Sequence, residues 1–360
     1  MAPIPVARMS VPPGRVGARP AAAEPAAPDR AATPVPARAP AARPWGQPLA
    51  VLALFLVVAA VPWLSAEPYV VLVLMTTTIY VAMSIGWNII GGFAGQVSFG
   101  HAAFYGIGAY TTTLLLLRLK DATGLDVPPA VLMVLSLPLA GLLAAVFAVL
   151  IGIPTLRLRG PFFSIATIGV GEAVRLVALY AEPLTGGGFG LSLPISFGEL
   201  RLVSYYVAAV WMALSILGAW WVERSKFGLG LAAIRLDEDA AQTLGVDTPR
   251  YKVLALALSA FVVGVAGGIY ATTQFYLAPD SVFAFSLSIT MILMPIVGGV
   301  GTLWGPVLGA VVYVLLREQV IAYRPNDHLF IFGFLLIFIM LFEPGGIVGA
   351  ARRVARRLRR

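Results

Sequence analysis

Polar side chains that could bind a solute or carry a proton are rare in this chain, and several fall in one glycine-rich stretch at 87–113, WNIIGGFAGQVSFGHAAFYGIGAYTTT. Long apolar runs flank this stretch on both sides. Polar groups within an apolar span are costly, and they usually face a water-filled cavity or a bonding partner. The pattern therefore indicates candidates for lining a translocation path, with hydrogen bonds between helices as the alternative. The candidates are Gln96, Ser98, His101 and Tyr110.

A second polar group consists of Glu172 and Arg175, three residues apart in an otherwise apolar run. Side chains at this spacing lie on one face of a helix and can form an ion pair. We expect a self-paired group near the cytoplasmic boundary of the membrane. The alternative is a gate that opens and closes, which requires two conformations of the protein.

These residues do not form a recognisable catalytic or metal site. The chain has no cysteine, which excludes a thiolate nucleophile or thiolate metal ligands. Asp327 and His328 are too few to indicate a metal site. No nucleophile with a matching base is found. We therefore predict that the chain is not an enzyme, has no catalytic residues, and binds neither a metal nor a cofactor.

The elements that position these residues are membrane-spanning helices. Hydrophobic residues make up 59% of the chain and charged residues 12%, with a mean hydropathy of +0.89, whereas about a quarter of the residues in soluble domains are charged. The sequence predicts an all-α, polytopic integral membrane protein. Runs long enough for a bilayer lie at 49–65, 69–90, 96–117, 129–153, 161–181, 203–222, 253–276 and 329–343.

The number of spans depends on the long apolar run at 285–316, which GGVGTLWGP interrupts at 298–306. Arginine-rich segments beside spans mark the cytoplasmic side. Both ends of the chain are arginine-rich, so both are predicted to be cytoplasmic, and this requires an even number of crossings. We therefore predict two helices, near 285–298 and 303–320, and about ten transmembrane helices in all.

The net charge of +8 comes from the two ends of the chain. Residues 1–46 are rich in Ala, Pro and Arg, and they are predicted to be a disordered N-terminal extension. The predicted transmembrane domain covers 47–349, and 350–360 is predicted to be a basic cytoplasmic tail. Terminal arginines of this kind favour contact with an anionic lipid bilayer and not with nucleic acid.

The loop at 223–252 is too long and too patterned to be a simple connector. Helical spacing predicts one short amphipathic helix that ends at Gly245. This helix would either enter a groove on a partner protein or lie on the lipid surface. Its apolar positions are Leu231, Ile234, Ala241 and Leu244, and its charged positions are Arg235, Asp237, Glu238 and Asp239.

Within this loop, Asp239, Ala240 and Ala241 followed by Gly245 resemble the coupling motif of ABC importer permeases, in which Glu is more frequent at the acidic position. GGFAGQVSFGHAAFYGIGAY, RLRGPFFSIATIGVGEAVR, AIRLDEDAAQTLGV and GGVGTLWGPVLGA resemble successive blocks of the LivM branch of the LivH/LivM permease family, in the same order. The resemblance covers roughly 69–345. It does not include the N-terminal extension.

The resemblance implies a membrane subunit of an importer for branched-chain amino acids (Leu, Ile, Val) in a bacterial cytoplasmic membrane. The implied partners are a LivH-like permease subunit, two cytoplasmic ABC ATPase subunits and an extracytoplasmic substrate-binding protein. No GxxxxGK[ST] phosphate loop occurs in the sequence, so ATP would be hydrolysed by the partner subunits.

Two alternative functions remain open. A urea or short-chain amide ABC importer would use a similar permease. An ion-coupled secondary transporter could also use broken helices, but we find no pair of buried carboxylates in the spans to carry protons or sodium.

Overall fold

A computed structural model describes residues 46–64, 67–123, 127–193, 197–323 and 345–358, together with a few isolated positions between 333 and 343. The chain divides into two units, 1–42 and 43–360, and all of the described residues belong to the second unit. The predicted disordered extension therefore lies outside the described residues, apart from Gly46. The same holds for most of the predicted span at 329–343, and for Asp327 and His328.

The described residues are almost entirely helical. Their elements are α1 (Gly46–Leu64), α2 (Pro68–Asn88), a π-helix (Ile89–Phe93), α3 (His101–Thr123), α4 (Pro129–Thr155), α5 (Pro161–Tyr180), α6 (Glu182–Thr185), a 3-10 helix (Gly187–Phe189), β1 (Leu191–Ser192), α7 (Phe197–Arg224), α8 (Lys226–Leu236), α9 (Glu238–Thr243), α10 (Thr248–Ala271), β2 (Tyr276–Leu277), α11 (Pro279–Val282), α12 (Phe285–Gly298), α13 (Gly305–Tyr323) and α14 (Gly346–Leu358).

Within the described ranges, seven helical segments are long and apolar enough to cross a membrane. They are Gly46–Leu64, Pro68–Phe93, Pro129–Thr155, Pro161–Tyr180, Leu200–Arg224, Thr248–Ala271 and Pro279–Gly298. The protein is thus a multi-pass helical membrane protein, with seven spans supported by length and composition among the described residues. Helices α3 and α13 lie at two further predicted positions, 96–117 and 303–320.

The predicted boundaries differ from the structure by five or more residues at three helices: α3, α7, which begins at Phe197 and not near 203, and α10. Helix α3 begins at His101 and not near 96, because 94–100 is a non-helical turn. Helix α10 begins at Thr248 and not at 253, because the Asp247 side chain caps it by accepting a hydrogen bond from the Arg250 N–H at 3.2 Å. Asp is a favoured N-cap residue for this reason.

Helix α10 lies at the centre of the helix bundle, where it packs along α2, α3 and α4. Glycine makes this packing close. A Cβ atom on Gly108 of α3 would lie 1.9 Å from the carbonyl oxygen of Gly264 on α10, and a Cβ on Gly264 would lie 2.5 Å from the Cβ of Ala144 on α4. Small residues allow such close approach of helices in membranes. Gly264 therefore allows α10 to pack closely against both α3 and α4.

The loop at 223–252 defines one end of the bundle, which we call the loop end. Arg235 Nη1 donates a hydrogen bond to the Gly92 carbonyl at 2.6 Å, and this places α8 beside the C-terminal end of α2. Helix α14 also lies at the loop end, because Gly346 approaches the backbone of Gly299 closely. At the opposite end, which we call the far end, β1 pairs with β2 in antiparallel register, with Leu191 opposite Leu277.

Candidate functional site

The turn at 94–100 joins the π-helix to α3 and carries the predicted polar residues. His101 is fully buried. Its Nε2 lies 2.8 Å from Ser259 Oγ on α10, and its Nδ1 lies 3.1 Å from Ser98 Oγ. Ser259 Oγ donates its own hydrogen to the Gly86 carbonyl at 2.7 Å, so it accepts from His101. This network assigns the neutral tautomer of His101 with the hydrogen on Nε2.

A second buried group holds the same turn from the other side. Trp87 Nε1 donates to the Ser98 carbonyl at 2.9 Å. The Asn88 side chain binds the segment before α13 with both of its atoms: Nδ2 donates to the Thr302 carbonyl at 3.1 Å, and Oδ1 accepts from the Gly301 N–H at 2.9 Å. Backbone that departs from helix at membrane depth needs such partners, because lipid supplies none.

The four predicted path-lining residues do not lie together. Ser98 and His101 are buried and bonded within the network, as in the alternative of hydrogen bonds between helices. Gln96 is partly exposed on the turn. Tyr110 lies about 14 Å further along α3, where its hydroxyl donates to the Leu277 carbonyl at 3.3 Å. A role in lining the path stays a prediction for all four residues.

The loop at 223–252 contains two helices, so the prediction of a single helix was wrong. Asp237 is extended, with φ −160° and ψ 116°, and its Oδ1 accepts from the N–H groups of Asp239 and Ala240, each at 2.9 Å. Asp237 therefore caps a new helix, α9, instead of continuing α8. Gly245, at φ +86°, follows the end of α9 as predicted.

Because the helix axis changes at Asp237, the predicted apolar stripe is not continuous. Leu231, Ile234 and Ala241 are buried against the rest of the chain, but Leu244 is 82% exposed. Leu236 is 88% exposed and Ala240 is also exposed. We call Leu236, Ala240 and Leu244 the loop docking surface. Its two large apolar side chains lie outside the bundle, at the loop end.

Lys252, at the start of α10, anchors the loop to the bundle. Only 2% of this lysine is exposed. Its Nζ donates to Glu238 Oε1 at 2.7 Å and to the Leu156 carbonyl at 3.1 Å. Arg159 adds a bond from Nη1 to Asp239 Oδ1 at 2.8 Å. Of the predicted charged face, Arg235, Glu238 and Asp239 therefore bind this chain's own bundle.

Glu172 and Arg175 form the predicted ion pair, with Arg175 Nε 3.0 Å from Glu172 Oε2. The pair is not self-contained, because Arg175 also binds Asp280 of α11. The pair lies at the end of the bundle opposite the loop at 223–252, so a location near the cytoplasmic boundary is incompatible with a cytoplasmic loop. Arg175 lies about 21 Å along α5 from Pro161, towards the far end, because α5 begins beside the loop and runs away from it.

Several residues at these sites were not predicted from the sequence. Lys252 was read only as the end of the loop, although a lysine beside a long apolar run indicates an anchored charge. Arg317 and Glu318 lie inside the predicted span 303–320, where two adjacent charged residues are conspicuous in the sequence. No sequence pattern indicates Asp280, because its partner Arg175 lies 105 positions away. No group of three or more metal-binding side chains occurs within the part of the chain that the structure describes.

Long apolar helices packed around a buried polar network, with a folded loop that presents exposed leucines at one end, define a multi-pass membrane protein. The chain belongs to the family described as branched-chain amino acid transport system / permease component, whose model matches residues 69–340. It is accordingly a membrane component of a transport system, located in the inner membrane.

Individual relatives agree with this family. The chain is 31% identical over 335 residues to the high-affinity branched-chain amino acid transport system permease protein LivM of Salmonella typhimurium, covering 85% of this chain and 76% of the relative. The LivM protein of Escherichia coli K12 is 30% identical with the same coverage. The LivH permease protein of Escherichia coli K12 is 23% identical, covering 75% of this chain and 91% of the relative. No solved structure matches the chain.

Proposed function

We propose that this chain is a membrane-spanning permease subunit of an ABC importer that moves branched-chain amino acids across the cytoplasmic membrane. The observation that carries the proposal is the family match over 69–340, together with identity of 30% or more to two LivM permeases over 85% of the chain. The match favours this function over a urea or amide importer and over an ion-coupled transporter.

The proposal includes a LivH-like permease as the second membrane subunit. Its support is that the same chain resembles both LivM and LivH proteins, as expected for two related subunits that pair across a pseudo-twofold axis. Helix α5 is the most weakly buried of the long helices near the polar turn, with only Phe163, Thr167 and Ala178 buried. It is a candidate surface for this contact.

Two cytoplasmic ATPases supply the energy in this proposal, because the sequence contains no phosphate-binding loop. The loop docking surface is the proposed contact with one ATPase. Exposed leucines at positions 236 and 244, with Ala240 between them, lie four residues apart. Leu236 ends α8, whereas Ala240 and Leu244 lie on α9 and at its end, so this surface is the corner between two short helices. We propose that the apolar side chains of this corner enter a groove on the ATPase. An extracytoplasmic binding protein would deliver substrate at the far end.

We further propose that both termini are cytoplasmic and that the chain crosses the membrane about ten times. This rests on two features. The start of α1, the loop and the arginine-rich α14 all belong to the loop end, as the positive-inside rule requires. Helices α3 and α13 also occupy predicted span positions.

At the far end, the cluster of Glu172, Arg175 and Asp280 is a candidate gate between α5 and α11. It would have to break in one conformation of the importer. Gln96 is the most exposed of the four candidates for lining the path, since Ser98, His101 and Tyr110 are buried. We therefore propose Gln96 first for contact with a passing substrate.

Reconstitution into liposomes tests the function. The chain, a LivH-like permease, two ATPases and the binding protein should together accumulate leucine when ATP is supplied, and omission of any one subunit should abolish uptake. The purified chain alone should neither hydrolyse ATP nor accumulate leucine. Accumulation of leucine by this chain alone, driven by a proton gradient, would contradict the proposal.

A further inference from the structure

A polar cavity of about 300 Å³ lies between α2, α10 and α13, in the half of the bundle away from the loop. This volume is at the lower end of the range for small-molecule sites. It extends about 12 Å along α2, from Leu72 to Tyr80. We call it the α2–α10–α13 cavity. None of the residues predicted from the sequence as path candidates lines it.

Arg317 and Glu318 place two opposite charges in the wall of this cavity. They are neighbours on α13, but Arg317 Nη1 lies 3.9 Å from Glu318 Oε1, which is beyond hydrogen-bond distance. The Arg317 guanidinium forms no hydrogen bond with another described residue, and it lies 5.9 Å from the centre of the Tyr80 ring. Charges at membrane depth are costly and are generally functional. Because the two groups do not form a hydrogen bond with each other, stabilisation of the fold by an ion pair does not account for their presence.

The cavity wall also provides neutral polar groups and an apolar face. The hydroxyls of Tyr80 and Tyr270 line the wall, and within the described ranges neither has a hydrogen-bond partner. The opposite part of the wall is apolar and comes from one face of α2, with Met75 and Ile79 among its residues. The Tyr69 hydroxyl, at the far end of α2, donates to Glu318 Oε2 at 3.0 Å and fixes that carboxylate.

We propose that the α2–α10–α13 cavity is a subsite for a zwitterionic aliphatic amino acid. The Arg317 guanidinium binds the α-carboxylate, the Glu318 carboxylate binds the α-ammonium, and the apolar face of α2 takes the aliphatic side chain. A guanidinium with free donors suits a carboxylate because it can form two parallel hydrogen bonds. This inference rests on the proposed function as an amino acid importer.

The other large cavities do not fit such a ligand. The cavity between α4, α7 and α10 is lined by apolar side chains and Tyr206, and offers no charge. The cavity beside the loop has four basic groups, of which three are paired: Arg159 with Asp239, Arg250 with Asp247 and Lys252 with Glu238. Beside the fourth, Arg157, its described lining residues offer no free carboxylate for an α-ammonium, because Glu238 is bonded to Lys252.

Photocrosslinking in the complete reconstituted importer tests the subsite directly. The probe is a leucine analogue with a diazirine in the side chain, activated by light during ATP-driven uptake and located by mass spectrometry. We expect labelled peptides on α2 around Met75 and Ile79, with labelling suppressed by excess leucine. Leucinamide, which lacks the carboxylate, and 4-methylpentanoate, which lacks the ammonium, should compete poorly.

Two substitutions test which charged group of the ligand is bound by Arg317 and which by Glu318. Arg317→Gln should raise the concentration of leucine that suppresses labelling by the probe about tenfold or more, because one charge-assisted hydrogen bond is lost. In this variant leucine and leucinamide should compete with the probe more equally than in the wild-type protein. Glu318→Gln should reduce discrimination against 4-methylpentanoate. Arg317→Lys keeps the charge and should be intermediate. Arg201→Gln, which removes an arginine near the start of α7 outside the cavity, is the matched control and should behave like the wild-type protein.

The outcomes separate the two proposals. If the wild-type importer does not accumulate leucine, the proposed function is wrong. If it accumulates leucine but the label lies only outside α2, α10 and α13, the subsite is wrong and the function stands. The positions labelled in the wild-type importer decide whether the subsite is correct, even if a variant fails to assemble. Equal competition by leucine, leucinamide and 4-methylpentanoate would also overturn the subsite.

Discussion

The buried Lys252 ammonium lies 2.7 Å from the Glu238 carboxylate and connects α10 to α9 across the base of the loop. A second bond, from the same ammonium to the Leu156 carbonyl, includes the end of α4. Movement of the loop therefore cannot occur without movement of α4 and α10, or without loss of these bonds. The pair provides a direct mechanical connection between the loop docking surface and the centre of the bundle.

Lys252→Met should release the loop, because Glu238 would be left partly buried without its partner. Breaking a buried ion pair from one side costs on the order of 3 kcal/mol. We expect faster limited proteolysis between 236 and 248, and a lower ratio of transport to ATP hydrolysis in the reconstituted importer. The double variant Lys252→Met/Glu238→Gln should recover part of the lost stability. Unchanged proteolysis of the single variant would argue against the anchor.

Leu244→Asp should weaken ATPase binding without unfolding the permease. Leu244 is 82% exposed, and substitutions at such surface positions usually change stability by about 0.5 kcal/mol or less. Loss of an apolar anchor at the centre of an interface costs about 2 kcal/mol or more, which is over tenfold in affinity. Co-purification of the ATPase measures this loss. Arg250→Gln, on an exposed side chain outside the docking surface, is the control, and equal ATPase recovery from both variants would exclude the assignment.

His101→Ala should reduce stability more than it changes substrate affinity. The substitution removes the bonds from His101 to Ser98 and Ser259. Ser259 keeps its bond to the Gly86 carbonyl, but the buried Ser98 hydroxyl loses its acceptor, at a cost of about 1 to 3 kcal/mol for the unsatisfied group. We expect a lower melting temperature of the detergent-solubilised protein, with an unchanged KM for leucine in the importer. A changed KM at an unchanged melting temperature would instead indicate that His101 contacts the substrate.

Gly264→Val should disrupt the packing of α10 against α3 and α4. Even a single added Cβ would lie 2.5 Å from the Cβ of Ala144, and overpacking of this kind costs about 1 to 3 kcal/mol or more. Gly169→Ala on α5 is the matched control, because nothing lies within 4 Å of an added Cβ there. It should be neutral or slightly stabilising, since alanine favours helix over glycine. Thermal unfolding of the two variants, compared side by side, measures the difference.

The sequence predicted most helix positions well because a bilayer imposes a minimum apolar length, which is visible without knowledge of the fold. The close contact at Gly264 was also predictable, since small residues at spacing four have few other uses in a span. The exact number of crossings was not, because the helix at 285–298 has only 14 residues, fewer than the about 20 that a bilayer requires.

The sites were harder to predict, for reasons that differ from residue to residue. Asp237 looked like one member of a charged face, and only its backbone geometry identifies it as the cap of a second helix. The partner of Arg175 at Asp280, and that of His101 at Ser259, depend on tertiary contacts across more than 100 residues. Arg317 and Glu318 are the opposite case, since two charges within a predicted span were visible in the sequence from the start.

The approach of Gly108 to Gly264 also restricts how this protein can change shape. Where two backbones touch, a helix has no layer of side chains that could rearrange while it slides, so α3 and α10 must travel as one rigid body. Any opening of a path must then arise from helices that the bundle holds less firmly. Helix α5 has few buried side chains and open space around Gly169. It is therefore less constrained in its movement than α3 and α10.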